Sequence, residues 1–422
     1  MKKIDIFLKK SQFLSIGIFL TAANILTGLF GYVYQILMGR MLAPVDFALL
    51  STLMAVYVIL ISPLGGIQMY TSKRVTQLAA AFQFSNLDRF FKKNIYLAIL
   101  FLILLMGFSY FFIGDIVRLL RAPTDSVIIF LALLGIAPFI IVNTAFYQGL
   151  QKFNWLVGAA LLTVLTKITL STLFVYNGLE VNGAIGGVLL SGLLVFIAGL
   201  FLITRAIKNN NENLIQITSK ESNKLIISSV IANIGFIVST QLDMVVVDHF
   251  FTREQAGWYA AASVFGKAVF YLPGGIVTAL FPIVVANDIR SSGSKHVVKE
   301  AILLTAAICG SMAFIYWTFG YAIVKIFYGV SYLESAELLR WFGFAMLPMA
   351  LVMIIEHYLI AKGRLLFSWI FMGALPLEFI AMYQWHEELW MILANIAAFG
   401  FALMLVGFWM IRDAFITKEN SR

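Results

Sequence analysis

The sequence predicts an all-α, polytopic membrane protein with 12 transmembrane helices in two pseudo-symmetric six-helix lobes. Hydrophobic residues make up 61% of its 422 residues and charged residues only 12%, against about a quarter charged in globular proteins. The mean hydropathy is +0.93. Apolar stretches of the roughly 20 residues that a bilayer-spanning helix needs recur along the whole chain, which leaves no room for a soluble domain.

The two lobes are predicted from an internal repeat on either side of a polar central tract. Two tripeptides recur at the same offset: Ala23–Ile25 as Ala232–Ile234, and Gly65–Ile67 as Gly274–Ile276. Each match lies in the first two spans of its half. Repeated halves in an apolar chain are typical of transporters, whose substrate sites lie between the repeats.

The predicted domains are an N-terminal lobe over residues 1–204, a cytoplasmic linker over 205–224 and a C-terminal lobe over 225–422. The linker is too rich in Asn, Lys and Glu to cross a membrane. Hydropathy places the spans at 13–37, 47–70, 94–114, 127–148, 155–176, 183–204, 225–248, 256–284, 301–321, 339–361, 366–383 and 389–411.

The second and eighth spans carry helix-breaking residues at matching places. Pro63 precedes Gly65 and Gly66, and Pro273 precedes Gly274 and Gly275. Because Pro removes a backbone hydrogen bond and Gly permits bending, both spans are expected to kink. Such breaks serve either as pivots for alternating access or as tolerated kinks with no dynamic role.

The distribution of basic residues predicts that both termini and the linker are cytoplasmic. Most of the 30 Lys and Arg residues fall in the segments on that side, as the positive-inside rule requires. The outer segments hold few, namely Arg40, Arg118, Arg121, Arg253, Lys325 and Arg340. The net charge of +9 is scattered over several loops, so it indicates contact with anionic lipids rather than nucleic acid.

Signatures of catalysis and of metal or cofactor binding are missing from the sequence. The single cysteine, Cys309, excludes an intramolecular disulfide and is expected to be a small core residue. The four histidines form no ligand pair, and there is no phosphate-binding loop. We therefore expect a non-enzyme with no cofactor and no metal site.

Ionisable residues within the spans are the main candidates for function, because charge at bilayer depth is costly. Lys167 and Lys267 lie near the middle of the fifth and eighth spans, and Glu378 lies at a similar depth in the eleventh. Asp243 and Asp248 lie toward the outer end of the seventh. The two lysines are candidates to line a water-filled substrate cavity, and ion pairing with Glu378 or Asp243 is the alternative. Asp243, Asp248 and Glu378 are candidates for ion coupling.

Two asparagines occupy matching places in the first and seventh spans. Asn24 and Asn233 are candidate substrate-binding residues, and ordinary hydrogen bonding between helices is the competing interpretation.

Three segments carry a resemblance to a known family. Leu37–Leu50 resembles the turn between the first two spans of the bacterial polysaccharide-export flippases, and it contains Arg40, a further candidate for substrate binding. Asp243–Ala262 resembles the family's Asp…Gly-x-Tyr-x-x-Ala pattern, and Ile326–Ala336 resembles its outer turn between spans nine and ten. The family belongs to the multidrug/oligosaccharidyl-lipid/polysaccharide exporter superfamily.

The resemblance implies two lobes around a central cavity and a multi-pass location in the bacterial inner membrane. It implies alternating-access transport of undecaprenyl-pyrophosphate-linked oligosaccharide from the inner to the outer leaflet, for O-antigen, capsule or exopolysaccharide synthesis. Membrane lipids, H⁺ or Na⁺, a polysaccharide polymerase and a chain-length regulator are the implied partners. The alternatives are an ion-coupled multidrug antiporter of the same fold, a peptidoglycan-precursor flippase, which would usually carry two more spans, a major facilitator and a membrane polysaccharide polymerase.

Overall fold

The computed structural model describes residues 2–208, 223–277, 280, 284 and 295–412. The predicted linker is therefore described only at its two ends, and its middle lies outside the described residues. The described part is helical and contains no strand, which confirms the all-α prediction.

The helices overlap the predicted spans, several extend well beyond them, and the second and eighth spans are each divided at a proline. They are α1 (Lys2–Met41), α2 (Pro44–Ile61), α3 (Leu64–Ala80), α4 (Phe84–Leu120), α5 (Thr124–Gly149), α6 (Phe153–Phe174), α7 (Glu180–Lys208), α8 (Asn223–Phe250), α9 (Arg253–Tyr271), α10 (Lys295–Phe327), α11 (Ser335–Ala361), α12 (Leu366–Gln384) and α13 (Leu389–Met410). Of the described residues, nine helical segments are long and apolar enough to cross a membrane, and one of them, Phe153–Lys208, contains two predicted spans. The number twelve stays a prediction.

Both predicted helix breaks are present. α2 ends at Ile61, two turn residues follow, and α3 begins at Leu64 after Pro63. In the second half α9 ends at Tyr271, and the chain is helical again from residue 274, directly after Pro273. The missing N–H and the fixed φ of proline explain why the helix is interrupted at these positions.

The chain forms two compact units. The first contains Met1–Met41 and Pro63–Lys220, and the second contains Leu42–Ser62 and Glu221–Arg422. The division into lobes at 1–204 and 225–422 stays a prediction, and α2 clusters with the second unit. Its packing gives the reason: α2 packs against α8 and α9.

One glycine permits the close packing of α2 in the second unit. A Cβ atom at Gly257 of α9 would lie 2.1 Å from the carbonyl oxygen of Pro44, the first residue of α2. A few residues further on, Phe47 of α2 is fully buried and lies edge-on to the ring of Tyr332, with ring centroids 6.1 Å apart. The Tyr332 hydroxyl donates to the carbonyl of Leu42 at 3.0 Å. Sequence hydropathy carries no information about such a pairing.

The first unit has its own apolar core at the end of α3. In this unit α6 packs along α7, and α5 packs against α3, α4 and α7. The core residues are all buried hydrophobics: Val75, Leu78, Ala79, Leu87, Phe91, Val142, Phe146, Tyr147, Leu150, Ile203 and Ile207. In the second unit α11 is the central helix, packed against α9, α10 and α13, while α12 packs against α8.

Candidate functional site

A buried ion pair lies at the centre of the second unit. The ammonium of Lys267 on α9 is 2.8 Å from Oδ1 of Asp243 on α8. The Tyr259 hydroxyl donates to Oδ2 of the same carboxylate at 2.8 Å. Asp243 and Tyr259 are 0% exposed and Lys267 is 7% exposed. Each oxygen of this carboxylate thus has its own donor, which is the condition under which a buried charge is tolerated.

The local sequence explains why Tyr259 and Lys267 reach the same carboxylate. They are eight residues apart on α9, a spacing that places both on one face of a helix. The start of α9 is fixed by a capping box, in which Thr252 and Gln255 each bond the other's backbone N–H. The helix therefore begins at a defined residue, and its tyrosine and lysine are held in register with α8.

A second carboxyl lies beside this pair. Ser239 precedes Asp243 by four residues on α8, so the two side chains share a helix face. The Ser239 hydroxyl donates to Oε1 of Glu378 on α12 at 2.9 Å, and Glu378 is 1% exposed. Its other oxygen, Oε2, has no hydrogen-bond partner among the described residues. Two of the three predicted ion-coupling residues, Asp243 and Glu378, are thus brought to one face of α8.

This cluster, Ser239, Asp243, Tyr259, Lys267 and Glu378, combines two carboxyl groups with one ammonium. With both carboxyls ionised it carries an excess negative charge, which a proton or a monovalent cation would neutralise. In the described part of the chain, no group of three or more His, Cys, Asp or Glu residues could hold a metal ion.

The other lysine predicted near the membrane midplane, Lys167 of α6, lies in the first unit in a different environment. Its ammonium is 4.3 Å from the centroid of the Tyr34 ring, a cation–π contact. The side chain is half-buried, and among the described residues no carboxylate is within ion-pair distance of it. One turn later on α6, the Ser171 hydroxyl donates to the carbonyl of Ala184 at 2.9 Å.

A glycine brings α6 and α7 together beside Lys167. A Cβ atom at Gly187 of α7 would lie 2.3 Å from the Ser171 hydroxyl oxygen, so a larger residue would separate the two helices. Tyr34 of α1 is 2% exposed and its hydroxyl points to the same Ala184 carbonyl at 3.5 Å. The ring beneath Lys167 is therefore held in place by three helices of this unit.

The remaining predicted site residues are not part of either arrangement. Asp248 pairs with Arg253 near the end of α8 rather than with the buried cluster. Asn24 and Asn233 are exposed, and no side-chain hydrogen bond to a described residue supports the interhelical interpretation. Arg40 is exposed at the end of α1. Roles in binding or coupling for these four residues stay predictions.

Three residues of the two sites were not assigned a role from sequence. Tyr34, Ser239 and Tyr259 are uncharged, so the cost of burying charge did not single them out. For Tyr259 the signal was its spacing of eight from Lys267, and for Ser239 its spacing of four from Asp243. No spacing relates Tyr34 to Lys167, which lie on helices far apart in the chain.

A protein-family model matches more than half of the chain. Residues 14–288 match the model of a family described as polysaccharide biosynthesis protein. This match includes both lysines and Asp243. A search of curated protein sequences gave no match.

Solved structures with the same fold are found among exporters. One is described as the inward-facing conformation of a multidrug resistance MATE family transporter of the MOP superfamily, with a TM-score of 0.70, 16% identity, and coverage of 92% of this chain and 94% of that one. The outward-facing conformation of such a transporter gives 0.63, at 16% identity and 94% and 95% coverage. The lipid II flippase MurJ in an inward closed conformation gives 0.64, at 13% identity and 94% and 87% coverage. At these identities the likeness establishes the fold.

Proposed function

Because the chain belongs to the polysaccharide biosynthesis protein family, we propose that it is a flippase for undecaprenyl-pyrophosphate-linked oligosaccharides. It moves the repeat unit from the inner to the outer leaflet of the bacterial cytoplasmic membrane by alternating access. The product serves synthesis of O-antigen, capsule or exopolysaccharide. A polymerase and a chain-length regulator act on it afterwards, and the flippase itself makes or breaks no covalent bond.

The observation that carries the proposal is the setting of Lys167. A cation at bilayer depth costs at least ~2.5 kcal/mol on insertion scales, and an acidic partner normally offsets that cost. Lys167 contacts the ring of Tyr34 and, among the described residues, has no carboxylate within ion-pair distance. It is also half-buried rather than sealed. A pyrophosphate is an anion that would complete this environment, while the polyprenyl tail stays in lipid.

The buried cluster of the second unit supports a coupled mechanism. While Asp243 is ionised, it holds Lys267 at 2.8 Å and keeps that ammonium from any substrate. Binding of H⁺ or Na⁺ at Asp243, with Glu378 as a neighbouring acceptor, weakens the pair and releases Lys267 for the pyrophosphate. Lys267 is then available to an anion only in the ion-loaded state.

The test is transport by purified, reconstituted variants. Lys167→Ala should lose most flipping of lipid-linked oligosaccharide, and Lys167→Arg should retain more, since guanidinium keeps the charge and binds phosphate. Lys325→Ala is the matched control, because Lys325 also lies near a tyrosine ring, at 5.9 Å from its centroid, but is exposed near the end of α10. Normal flipping by Lys167→Ala at wild-type protein level would overturn the assignment.

Topology gives an independent test of the location. Reporter fusions at residues 85, 213 and 293 should all report cytoplasm, following the bias of basic residues. A periplasmic signal at residue 213 would require an odd number of spans in the first half and would exclude the two-lobe arrangement.

An ion-coupled antiporter for cationic drugs is the second candidate, and the buried Asp243 is the observation that favours it. The two readings differ in the role of Lys167, because a midplane ammonium repels a cationic substrate. Under the antiporter reading Lys167→Ala improves drug export, and under the flippase reading it abolishes glycan transport. A cell-based drug resistance assay beside the flipping assay separates them.

A further inference from the structure

A cavity of about 770 Å³ lies in the second unit, away from the buried cluster. Its volume is within the ~300–1,000 Å³ of small-molecule sites. It is formed where α9, α11 and α13 begin, so three helix N-termini surround it. By the predicted topology these helices all start at the outer face of the membrane.

The lining of this cavity combines two kinds of side chain. Its aromatic residues include Trp258, Trp341 and Trp390, and its acidic residues are Glu334, Glu337, Glu387 and Glu388. All four acidic residues are exposed, and the lining includes no Lys or Arg. The cavity is thus an apolar surface set among carboxylates.

Two of the tryptophan rings are held in place by hydrogen bonds. The indole N–H of Trp390 donates to Oε2 of Glu388 at 2.6 Å, and that of Trp258 donates to the carbonyl of Ser331 at 3.3 Å. Trp341 lies edge-on to Trp317, with ring centroids 4.7 Å apart. Ring positions fixed in this way form a preorganised surface, which lowers the entropy cost of binding a ligand.

We propose that this cavity, which we call the outer pocket, binds uncharged, hydroxyl-rich sugars. The negative face of an indole ring attracts the polarised C–H groups on the flat side of a sugar ring. Carboxylates accept several hydrogen bonds from hydroxyl groups. The inference rests on the proposed function, since it assigns the outer pocket to the glycan part of the transported lipid after it has reached the outer side.

The negative charge of the lining argues against anionic ligands. Tryptophans near a membrane surface commonly face lipid head groups, but four carboxylates would repel a lipid phosphate. The same repulsion excludes a glycan built from uronic acids. An organic cation held in an aromatic cage is the remaining competitor, and the experiment separates it from the sugar.

The test is a calorimetric titration of the full-length protein in nanodiscs. The probes are maltotriose and chitotriose as uncharged trisaccharides, trigalacturonate as an acidic one, and choline as an organic cation. Both uncharged sugars, or one of them, should bind, whereas trigalacturonate and choline should not. Trp341→Ala and Trp390→Ala should weaken sugar binding at least ~10-fold, because tryptophans in central pockets dominate binding energy.

Two further variants keep the outcome interpretable. Trp369→Ala removes a tryptophan that is 55% exposed on α12 and lies outside the outer pocket, so it should bind sugar like the wild type. Glu337→Gln retains the shape of the lining and should weaken binding less than the tryptophan variants do. Tight binding of choline or trigalacturonate, absence of sugar binding by the wild-type protein, or equal losses in Trp369→Ala and Trp341→Ala would each overturn the proposal.

Free trisaccharides carry no pyrophosphate, so this titration does not depend on Lys167. If Lys167→Ala binds the sugars normally but flips no lipid-linked oligosaccharide, both proposals stand. If Lys167→Ala flips normally while the wild type binds sugars at the outer pocket, only the pyrophosphate assignment fails.

Discussion

Lys167 and Lys267 are the two lysines predicted to lie near the middle of membrane spans, and the structure gives them different environments. Lys267 is 7% exposed and is held by a carboxylate 2.8 Å away. Lys167 is half-buried over the ring of Tyr34, with no carboxylate partner among the described residues. The comparison teaches that the same side chain is held by an ion pair in one unit and has no acidic partner among the described residues in the other.

The largest loss of stability is expected when Asp243, the partner of Lys267, is replaced. Asp243→Ala leaves a buried, unpaired ammonium, a change that costs about 3–5 kcal/mol in stability. The double variant Asp243→Leu with Lys267→Met removes both charges and should recover most of that loss. Thermal unfolding in detergent measures both effects. A single variant as stable as the wild type would show that the ion pair is not the structural element that the geometry indicates.

The next largest loss of stability is expected when Tyr259, the second donor to Asp243, is replaced. Tyr259→Phe removes the 2.8 Å hydrogen bond to Oδ2, and hydrogen bonds to charged groups contribute about 1.5–3 kcal/mol. Tyr316→Phe is the matched control, because Tyr316 is 1% exposed and its hydroxyl has no partner among the described residues. The Tyr316→Phe variant should be as stable as the wild type or slightly more stable. Equal losses in the two variants would assign the effect to ring packing.

A smaller loss is expected at Ser239. Ser239→Ala leaves Oε1 of Glu378 without its donor at 2.9 Å, with a cost of about 1–3 kcal/mol for an unsatisfied buried group. Thr305→Val is the control, since the fully buried Thr305 hydroxyl has no partner among the described residues. Unfolding midpoints of the two variants should differ by several degrees, and a midpoint unchanged in Ser239→Ala would show that Glu378 is satisfied in another way.

The smallest effect on stability is expected at Lys167. Lys167→Ala removes a cation–π contact of about 0.5–1 kcal/mol and, with it, the cost of placing a charge at bilayer depth. Stability should change little while flipping is lost. Lys167→Glu should transport even less than Lys167→Ala, because it places an acid where the pyrophosphate binds. A loss of stability as large as that of Asp243→Ala would remove the contrast between the two lysines.

How much of the site was predictable follows from the physics of each residue. The cost of burying charge singled out Lys167, Lys267, Asp243 and Glu378, because such residues are rare in an apolar chain. The ion pair of Lys267 was one of two alternatives, since hydropathy gives depth along a helix but not the direction in which a side chain faces. Tyr34 and Ser239 were missed because uncharged residues carry no comparable signal.

The sequence by itself determined the all-helical membrane fold, the helix breaks at Pro63 and Pro273, and the burial of Cys309, which is 0% exposed. These features depend on local composition, and the bilayer demands apolar helices of fixed length whatever their neighbours are. Only the tertiary structure decided that α2 packs with α8 and α9, that Asp243 takes Lys267 as its partner, and that tryptophans of three helices line the outer pocket together with glutamates at or near the helix starts. Each depends on which faces of distant helices meet, and helix packing leaves no periodic trace in a chain that is apolar on every side.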